Sequence, residues 1–326
     1  MQPISYDVLA IGNAIVDVIA HADDGFLASH GMTKGGMALI DEAHAETLYA
    51  AMGPGLEMSG GSAGNTIAGV AALGGKGAFI GKVRDDALGD IYRHDLSALG
   101  VDFITPAVSA GAATARCLVL VTPDAERTMN TFLGACTGLE EADIDPALVA
   151  SAGITYLEGY LFDLPPAKQA FRKAATLARG AGRKVALTMS DSFCVHRHRD
   201  EFLDLIDGHI DILFANEEEI RALYGTDDVD EAARRAAGHV ELVTVTRGGA
   251  GAILIDAGGR VDVPASGAVT EVVDTTGAGD LYAAGVLYGL SRGLPLAECG
   301  RLGCAAAGEA IGHVGARPQA DLRAFL

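Results

Sequence analysis

Short apolar runs recur along the chain, each four or five residues long and bounded by polar or glycine-rich segments. Runs of this length predict buried β-strands. Between them, apolar residues recur at the spacing of amphipathic helices. Because strands and helices alternate, the pattern predicts an α/β fold with a doubly wound, mostly parallel sheet flanked by helices. The predicted strands span residues 8–11, 77–80, 154–157, 185–188, 210–214 and 242–245, and the predicted helices span 87–99, 165–179, 217–224 and 231–237.

Two segments, approximately residues 16–40 and 114–133, break this alternation. Both are predicted to form strands with no helix between them, and a turn after Pro123 in the second predicts a hairpin. The pattern supports two arrangements equally, a small projecting sheet that serves as a lid and an extra antiparallel edge. No repeat or linker divides the chain. We therefore expect one domain over residues 1–326, with the two segments as lid insertions.

Composition and charge narrow the classes of partner. Of the 326 residues, 49% are apolar and 21% are charged, which is typical of a folded globular protein. The formal charge is −19 with a pI near 4.7. Such a surface repels phosphate backbones and anionic lipids, so neither nucleic acid nor membrane is an expected partner. Solubility alone also explains the charge.

Cysteine usage and the first residues bear on the compartment. The five cysteines are scattered, and none forms a C-x-x-C pair. This arrangement does not predict a disulfide framework and fits a reducing cytosol. The first residues lack the basic region of a signal peptide, and no apolar stretch is long enough to span a bilayer. We expect a cytoplasmic protein.

The strongest chemical signal is the segment Asp274-Thr-Thr-Gly-Ala-Gly-Asp280, which an apolar run follows. A glycine-rich turn that leads into a helix exposes backbone N–H groups, which bind anions. The glycines let this backbone approach a phosphate closely. Asp280 would then lie beside the anion and accept a proton from an attacking hydroxyl. An ordinary Asp N-cap explains one acid, but not the two glycines and the second acid.

This segment resembles the C-terminal signature of the ribokinase-like (PfkB) carbohydrate kinases. The family's N-terminal signature is matched by Gly60-Gly-Ser-Ala-Gly-Asn65 and continues through residues 73–89. Its N-x-x-E element is matched by residues 216–219, and its T-x-G-x-x-G turn by residues 246–251. All four elements occur in the family's order and span nearly the whole chain. Several segments, including residues 12–17, resemble adenosine kinases and their bacterial relatives.

The resemblance implies roles on the acceptor side of the site. Asp17 would accept hydrogen bonds from two neighbouring sugar hydroxyls, which a carboxylate with two oxygens can do. Arg127 in the predicted hairpin would reach substrate or phosphate. Purely structural readings stand beside these: a structural acid for Asp17, a plain turn at residues 60–61 and a solvated arginine at position 127. The residues implied to bind the acceptor are Asn13, Asp17, Gly60, Gly61, Asn65 and Arg127.

The resemblance also implies the nucleotide side. ATP would be bound by Asn216, Thr246, Gly248 and Gly251. Magnesium would be held through water by Asn216 and Glu219, since that ion dehydrates reluctantly. The structural alternative for residues 216–219 is an acidic first helical turn. A monovalent cation is a further candidate cofactor, and the anion hole would consist of Gly277, Ala278 and Gly279.

The implied reaction is transfer of the γ-phosphoryl group of ATP to the primary hydroxyl of a ribofuranoside, with adenosine as the acceptor most resembled. Ribose, fructose or another nucleoside is the alternative acceptor, and the protein could be a monomer or a homodimer. A nucleoside-sensing protein without catalysis would not need Asp280.

A serine hydrolase is the distant alternative, because residues 60–64 also satisfy G-x-S-x-G, with Asp280 and His313 downstream. That motif needs a strand before the serine, and residues 52–59, which include Pro54, predict a poor strand. In a kinase, no role is expected for the Ser62 hydroxyl.

Overall fold

The computed structural model describes residues 3–124, 126–267 and 271–326. Its main sheet has the strand order β14-β13-β12-β11-β10-β9-β1-β5-β6. The strands from β12 to β6 in this order are parallel, and β13 and β14 add an antiparallel edge. The six predicted strands and the α/β class are confirmed. The strands of the main sheet are β1 Tyr6–Ile11, β5 Gly77–Ile80, β6 Val101–Phe103, β9 Ala152–Glu158, β10 Lys184–Thr188, β11 Ile212–Asn216, β12 Leu242–Thr246, β13 Ala252–Asp256 and β14 Gly259–Val263.

Helices cover both faces of this sheet because its strands are apolar on both sides. In β1, Leu9 and Ile11 enter the core on one face, and Val8 and Ala10 enter the core on the other. This near-continuous burial is typical of parallel strands. The four predicted helices are confirmed within two residues at each end. The helices are α1 Asp24–Ser29, α2 Glu42–Ala51, α3 Ser62–Ala72, α4 Ala87–Ala98, α5 Pro146–Ser151, α6 Pro165–Gly180, α7 Ser192–His209, α8 Glu217–Tyr224, α9 Val229–Ala236, α10 Ala278–Ser291 and α11 Leu296–Ala310.

A small sheet with the order β3-β8-β7-β2-β4 lies apart from the main sheet. Both segments that break the alternation contribute to it, and β7 and β8 form the predicted antiparallel hairpin. Residue 125, in the turn of that hairpin, lies outside the described residues. The strands of the small sheet are β2 Ile15–His21, β3 Met37–Leu39, β4 Gly55–Ser59, β7 Ala115–Val121 and β8 Arg127–Phe132.

Two expectations for this region are wrong. A helix, α1, lies between β2 and β3, because the Asp23 side chain caps its N-terminus and Leu27 is buried beneath it. Residues 55–59 form a strand that pairs antiparallel with β2. Pro54 precedes this strand, which is at the edge of the sheet, so the missing N–H of the proline removes no ladder hydrogen bond.

No helix in the part of the chain that the structure describes is both long and apolar enough to cross a bilayer.

The helix α10, which begins in the glycine-rich segment, is held in place by direct backbone contact with α11. A Cβ added at Gly285 in α10 would lie 2.5 Å from the backbone nitrogen of Gly303 and 2.6 Å from the carbonyl carbon of Leu302. These atoms belong to the α11 backbone, so they cannot move away by a change of side-chain rotamer. The glycine therefore sets the separation of the two helices, and with it the position of the α10 N-terminus.

We predict that Gly285→Ala destabilises the protein by about 1–3 kcal/mol, because the added methyl group pushes the two helices apart. The matched control is Gly208→Ala in α7, where a Cβ meets nothing within 4 Å. There the gain in helix propensity should leave stability unchanged or raise it by up to about 1 kcal/mol. Urea unfolding of both variants measures the difference. Equal stabilities for the two variants would contradict the packing argument.

Candidate active site

The candidate site lies at the carboxyl edge of the parallel strands, where β9 ends at Glu158, β11 at Asn216 and β12 at Thr246. Open α/β sheets bind ligands at this edge. The other predicted residues come from the loop between β1 and β2, from β2 and β8, from the turn after β12 and from the N-termini of α3 and α10. The fold thus brings residues from both ends of the chain together.

The start of α10 has the geometry of an anion site. Gly277 is the N-cap with φ of 76°, and a Cβ there would lie 2.4 Å from the Cβ of Ala316. Only glycine fits both the left-handed backbone and this contact. The N–H groups of Gly279 and Asp280 in the first turn have no partners within the helix and carry its positive end, while the N–H of Ala278 donates to the carbonyl oxygen of Thr275 at 3.2 Å. A Cβ at Gly279 would point into open space, so an anion can approach this backbone.

Asp280 is the third residue of α10 and is not its N-cap. Its carboxylate accepts hydrogen bonds from Ser62 Oγ at 2.6 Å and Asn65 Nδ2 at 2.9 Å, both in α3. Burial raises the pKa of Asp280 to about 6, although these bonds and the charge of Arg317 act to lower it. The carboxylate is therefore ionised at neutral pH. The Ser62 hydroxyl, for which no chemical role is expected, is in direct contact with the predicted base.

Asp17 lies in β2 and packs against the glycine pair that precedes α3. A Cβ at Gly60 would lie 2.3 Å from Oδ2 of Asp17, so the carboxylate fills the place of a side chain. A Cβ at Gly61 would lie 2.3 Å from the carbonyl oxygen of Asn13. Burial raises the pKa of Asp17 to about 6, and the charge of Asp280 adds to this, while Arg317 and Arg127 oppose it. Both glycines are needed for close packing.

A narrow cavity separates the small sheet from the C-terminal segment after α11 and encloses about 50 Å³. This volume holds only a few water molecules. Asn65 Oδ1 has no hydrogen-bond partner although it is buried, and Asn65 lines the cavity, so the site offers one free acceptor. The lining residues are Asp17, Ile19, Met58, Ser59, Asn65, Cys117, Val119, Arg127, Met129, Thr276, Gly315, Ala316 and Arg317.

Asn13 does not line this cavity. Its side-chain nitrogen donates to Glu158 Oε1 at 2.8 Å, and the backbone N–H of Ala63 donates to Oε2 at 2.8 Å. Burial raises the pKa of Glu158 to about 7, while these hydrogen bonds act to lower it. Glu158 thus ties the β1–β2 loop to the start of α3. The sequence offered only a polar residue at a strand end as a signal for it.

Arg127 is half-buried and ion-paired. Its Nη1 donates to Asp274 Oδ2 at 2.5 Å and to Thr276 Oγ1 at 2.7 Å, while its Nε has no partner. Burial would raise the pKa of Asp274, but hydrogen bonds from Gly315 and Thr276 and the charge of Arg127 hold it below the ordinary value. The ion pair joins the hairpin of the small sheet to the segment that leads into α10. The alternative of a solvated arginine is therefore wrong.

The predicted nucleotide-side residues meet at neighbouring strand ends. Asn216 and Thr246 are partners in the register of β11 and β12. Gly248 begins a short 3₁₀ turn, Gly248–Ala250, and a Cβ at Gly251 would lie 2.0 Å from the carbonyl oxygen of Val263. The turn is therefore held tightly against β14. This places a glycine-rich backbone beside the start of α8.

Asn216 and Glu219 form a capping box at the start of α8, in which Asn216 Nδ2 donates to Glu219 Oε1 at 2.8 Å. Burial raises the pKa of Glu219 to about 7, and the charges of Asp191, Glu218 and Asp280 add to it. This density of negative charge and the oxygen donors fit a magnesium ion. Among the described residues no three or more His, Cys, Asp or Glu side chains form a metal cluster, so further ligands would be water and phosphate oxygens.

A hydrolase arrangement is absent at Ser62. Its hydroxyl donates to Asp280, while His313 lies beside Glu309, with Nε2 3.2 Å from Oε1. The strand before Ser62 is a partly exposed edge of the small sheet, whereas a nucleophile elbow needs a strand of the main sheet.

Arg317 was missed by sequence reasoning. It lines the cavity, and its guanidinium donates to Ser59 and to the carbonyl oxygen of Gly64. It belongs to no recognisable motif, and only its position in a glycine-rich segment near the C-terminus marked it. Its charge acts on both Asp17 and Asp280.

Comparison with known proteins gives concordant matches. The model of the pfkB family carbohydrate kinases matches residues 52–322. The adenosine kinase from Sinorhizobium meliloti is 52% identical, with a TM-score of 0.90 and coverage of 98% of both chains. A probable sugar kinase from Rhizobium etli CFN 42 is 50% identical, with a TM-score of 0.91 and coverage of 98% of this chain and 97% of that chain. A curated protein named probable fructokinase-6, chloroplastic, from Arabidopsis thaliana is 33% identical over 252 residues, which are 73% of this chain and 64% of that protein's length.

We predict that Asp274→Asn loosens the hairpin of the small sheet, because it removes the charge that holds the half-buried Arg127. Amide hydrogen exchange in β7 and β8 should speed up by roughly ten-fold or more, which corresponds to a charged hydrogen bond worth about 1.5–3 kcal/mol. The matched control is Asp124→Asn, which removes an exposed ion pair with Lys34 at the tip of the same hairpin. Such pairs contribute little. Equal exchange rates in the two variants would contradict an anchoring role for Asp274.

Proposed function

The chain belongs to the pfkB family of carbohydrate kinases, and within this family we propose that it is an adenosine kinase, which converts adenosine and ATP to AMP and ADP. Membership makes it a sugar or nucleoside kinase and implies ATP as the co-substrate. The choice of acceptor, the residue roles, a part in purine salvage, a cytoplasmic location and action as a monomer or homodimer belong to the proposal.

The observation that carries the choice of a nucleoside is the mixed lining of the cavity. The Asp17 carboxylate and the free Oδ1 of Asn65 suit ribose hydroxyls. Asp17 pairs with Met58 and Cys117 in the register of the small sheet, and apolar side chains continue this face as a wall beside it. Burial raises the pKa of Cys117 to about 12, so that its thiol is neutral as well. A free sugar would leave its hydroxyls against this wall unpaired, whereas a nucleobase covers it. The wall consists of Ile19, Met58, Cys117, Val119 and Met129.

The proposed chemistry follows from the start of α10. Asp280 takes the proton of the acceptor's primary hydroxyl, whose oxygen forms a bond to the γ-phosphorus. The bond from that phosphorus to the bridging oxygen breaks, and ADP leaves with the electron pair. The backbone N–H groups of Gly277, Ala278 and Gly279 donate to the phosphoryl oxygens as charge develops on them. Because the pKa of Asp280 is about 6, the base is ionised above this pH, and turnover should fall as the pH drops through it.

Asn216 and Glu219 would hold magnesium through water, which would screen the phosphate charge of ATP. Thr246, Gly248 and Gly251 would present the adjacent turn to the nucleotide. The family resemblance includes a monovalent cation as a further candidate cofactor.

A fructokinase is the second candidate, because one curated relative bears that name at 33% identity. The apolar wall of the cavity disfavours it, since fructose has a hydroxyl group on nearly every carbon. Another nucleoside as the acceptor would keep the same ribose contacts.

A kinase assay with adenosine, guanosine, cytidine, ribose and fructose tests the proposal. We expect kcat/KM to be at least ten-fold higher for adenosine than for either free sugar, because a lost apolar contact of this size costs about 1–3 kcal/mol. Asp280→Asn is the control protein and should lose about two to four powers of ten in kcat while still binding ATP. A preference for fructose would refute the acceptor assignment, and a near-normal kcat for Asp280→Asn would remove this residue from the mechanism.

We predict that Asp17→Ala raises KM for the nucleoside much more than KM for ATP, because the unpaired sugar hydroxyls cost about 1–3 kcal/mol. A 2′-deoxynucleoside, which lacks one of these hydroxyls, should be a poor substrate for the parent protein. For Asp17→Ala it should be little worse than the ribonucleoside. Equal discrimination by the parent and the variant would show that Asp17 does not contact the ribose.

A further inference from the structure

Three consecutive residues after α11 contact three parts of the site. The N–H of Gly315 donates to Asp274 Oδ2 at 2.9 Å, and Ala316 packs against Gly277. Arg317, the third, extends to the opposite side of the cavity. This segment therefore spans from the start of α10 to the residues that surround the acceptor.

The guanidinium of Arg317 is fixed by four hydrogen bonds. Nε and Nη2 donate to the carbonyl oxygen of Ser59 at 3.1 and 2.9 Å, and Nη2 also donates to Ser59 Oγ at 3.0 Å. Nη1 donates to the carbonyl oxygen of Gly64. Ser59 ends β4 of the small sheet, and Gly64 precedes Asn65 in α3. The arginine thereby links the sheet that carries Asp17 to the helix that orients Asp280.

The three acceptor atoms of these four bonds are neutral, which leaves the positive charge of Arg317 without a directly bonded carboxylate in the described part of the chain. Its charge instead acts through space on Asp17 and Asp280 and lowers the pKa of both. Burial lowers the pKa of Arg317, but a guanidinium stays protonated in proteins. A fixed cation whose charge reaches two carboxylates stabilises both of them in the ionised form.

We propose that Arg317 is a positioning residue that holds β4 against α3 and supplies the positive charge that Asp17 and Asp280 share. The proposal rests on the proposed role of Asp280 as base. The four hydrogen bonds hold β4 against α3, and the positive charge keeps Asp17 and Asp280 ionised. The two contributions are separable by experiment.

The other groups that face Asp280 do not supply this charge. Asp17 in β2, Glu158 in β9 and Glu219 in α8 are acidic. Ser62 and Asn65 of α3 are neutral donors, and Tyr156 and Tyr160 are neutral phenols within its field. The second cation of the cavity, Arg127, acts on Asp17, which also faces Tyr92 and the neutral thiol of Cys117.

The test is a carbon-13 NMR titration of protein labelled at aspartate, with the two signals assigned by Asp17→Asn and Asp280→Asn. In Arg317→Gln, which removes the charge, the pKa of both aspartates should rise by on the order of one pH unit. In Arg317→Lys, which keeps the charge but cannot make all four hydrogen bonds, both pKa values should stay near those of the parent. Arg127→Gln should raise the pKa of Asp17 and leave that of Asp280 near the parent value.

Kinetics provide the second readout. For Arg317→Gln, the acidic limb of the kcat/KM profile should move to higher pH by the same amount, so that activity recovers in alkaline buffer. Arg317→Lys should lose roughly ten-fold in kcat/KM at every pH, without a displaced limb. Arg292→Gln, which breaks a remote ion pair with Asp7, is the matched control and should leave the profile unchanged.

Unchanged aspartate pKa values in a folded Arg317→Gln protein would overturn the proposal, and so would raised values in Arg317→Lys. If Arg317→Gln does not fold, the lysine variant still decides, because the charge alone must preserve both pKa values. The titration does not depend on turnover. If Asp280→Asn is active while the aspartate pKa values are raised in Arg317→Gln, the proposed base is refuted and the electrostatic inference stays intact.

Discussion

A single carboxylate at the positive end of α10 constrains the rest of this structure. Asp280 lies in the first turn of α10, and its carboxylate accepts hydrogen bonds from α3, which lies more than 200 residues earlier in the chain. This arrangement depends on packing elsewhere. Gly277 and Ala316 set the approach to the helix start, and Gly285 sets the depth of the helix on α11. The geometry of the site is well defined because the site is built on two packed helices and not on loops alone.

The acidity of the protein makes this arrangement necessary. With a net charge of −19, the protein attracts no anion by its overall field, so phosphate must be bound by local groups. The local positive groups are the N-terminus of α10 and the half-buried cations Arg127 and Arg317, which line the cavity. Negative charge is in turn concentrated at Glu219 and its neighbours Asp191 and Glu218. Positive and negative groups therefore occupy separate parts of the same site.

Most of the fold could be predicted from the sequence because the strands of the main sheet are apolar on both faces. The small sheet was harder to predict from the sequence. Its edge strand β4 carries glycine and follows Pro54, so its pattern resembles a loop, and only pairing with β2 makes it a strand. The helix α1 is six residues long and is stabilised by one cap and one buried leucine, which is too little for a periodic pattern.

The residues of the site also fall into two groups, those that could be placed from the sequence and those that could not. Residues in contiguous motifs, such as Gly277 to Asp280 and Gly60 to Asn65, could be placed from the sequence because their spacing is local. Glu158 and Arg317 could not, because their importance arises from partners 95 and 253 residues away. The link between Ser62 and Asp280 was missed for the same reason, although both residues lie in recognised motifs. Long-range hydrogen bonds leave no spacing pattern in one sequence.

The ion pair between Arg127 and Asp274 also couples the small sheet to the start of α10. Arg127 begins β8, and Asp274 lies three residues before Gly277, the N-cap of α10. Any movement of the sheet away from this segment would separate two largely buried charges and leave each without its partner, which is costly. Motion of the small sheet is therefore energetically linked to the position of the helix start.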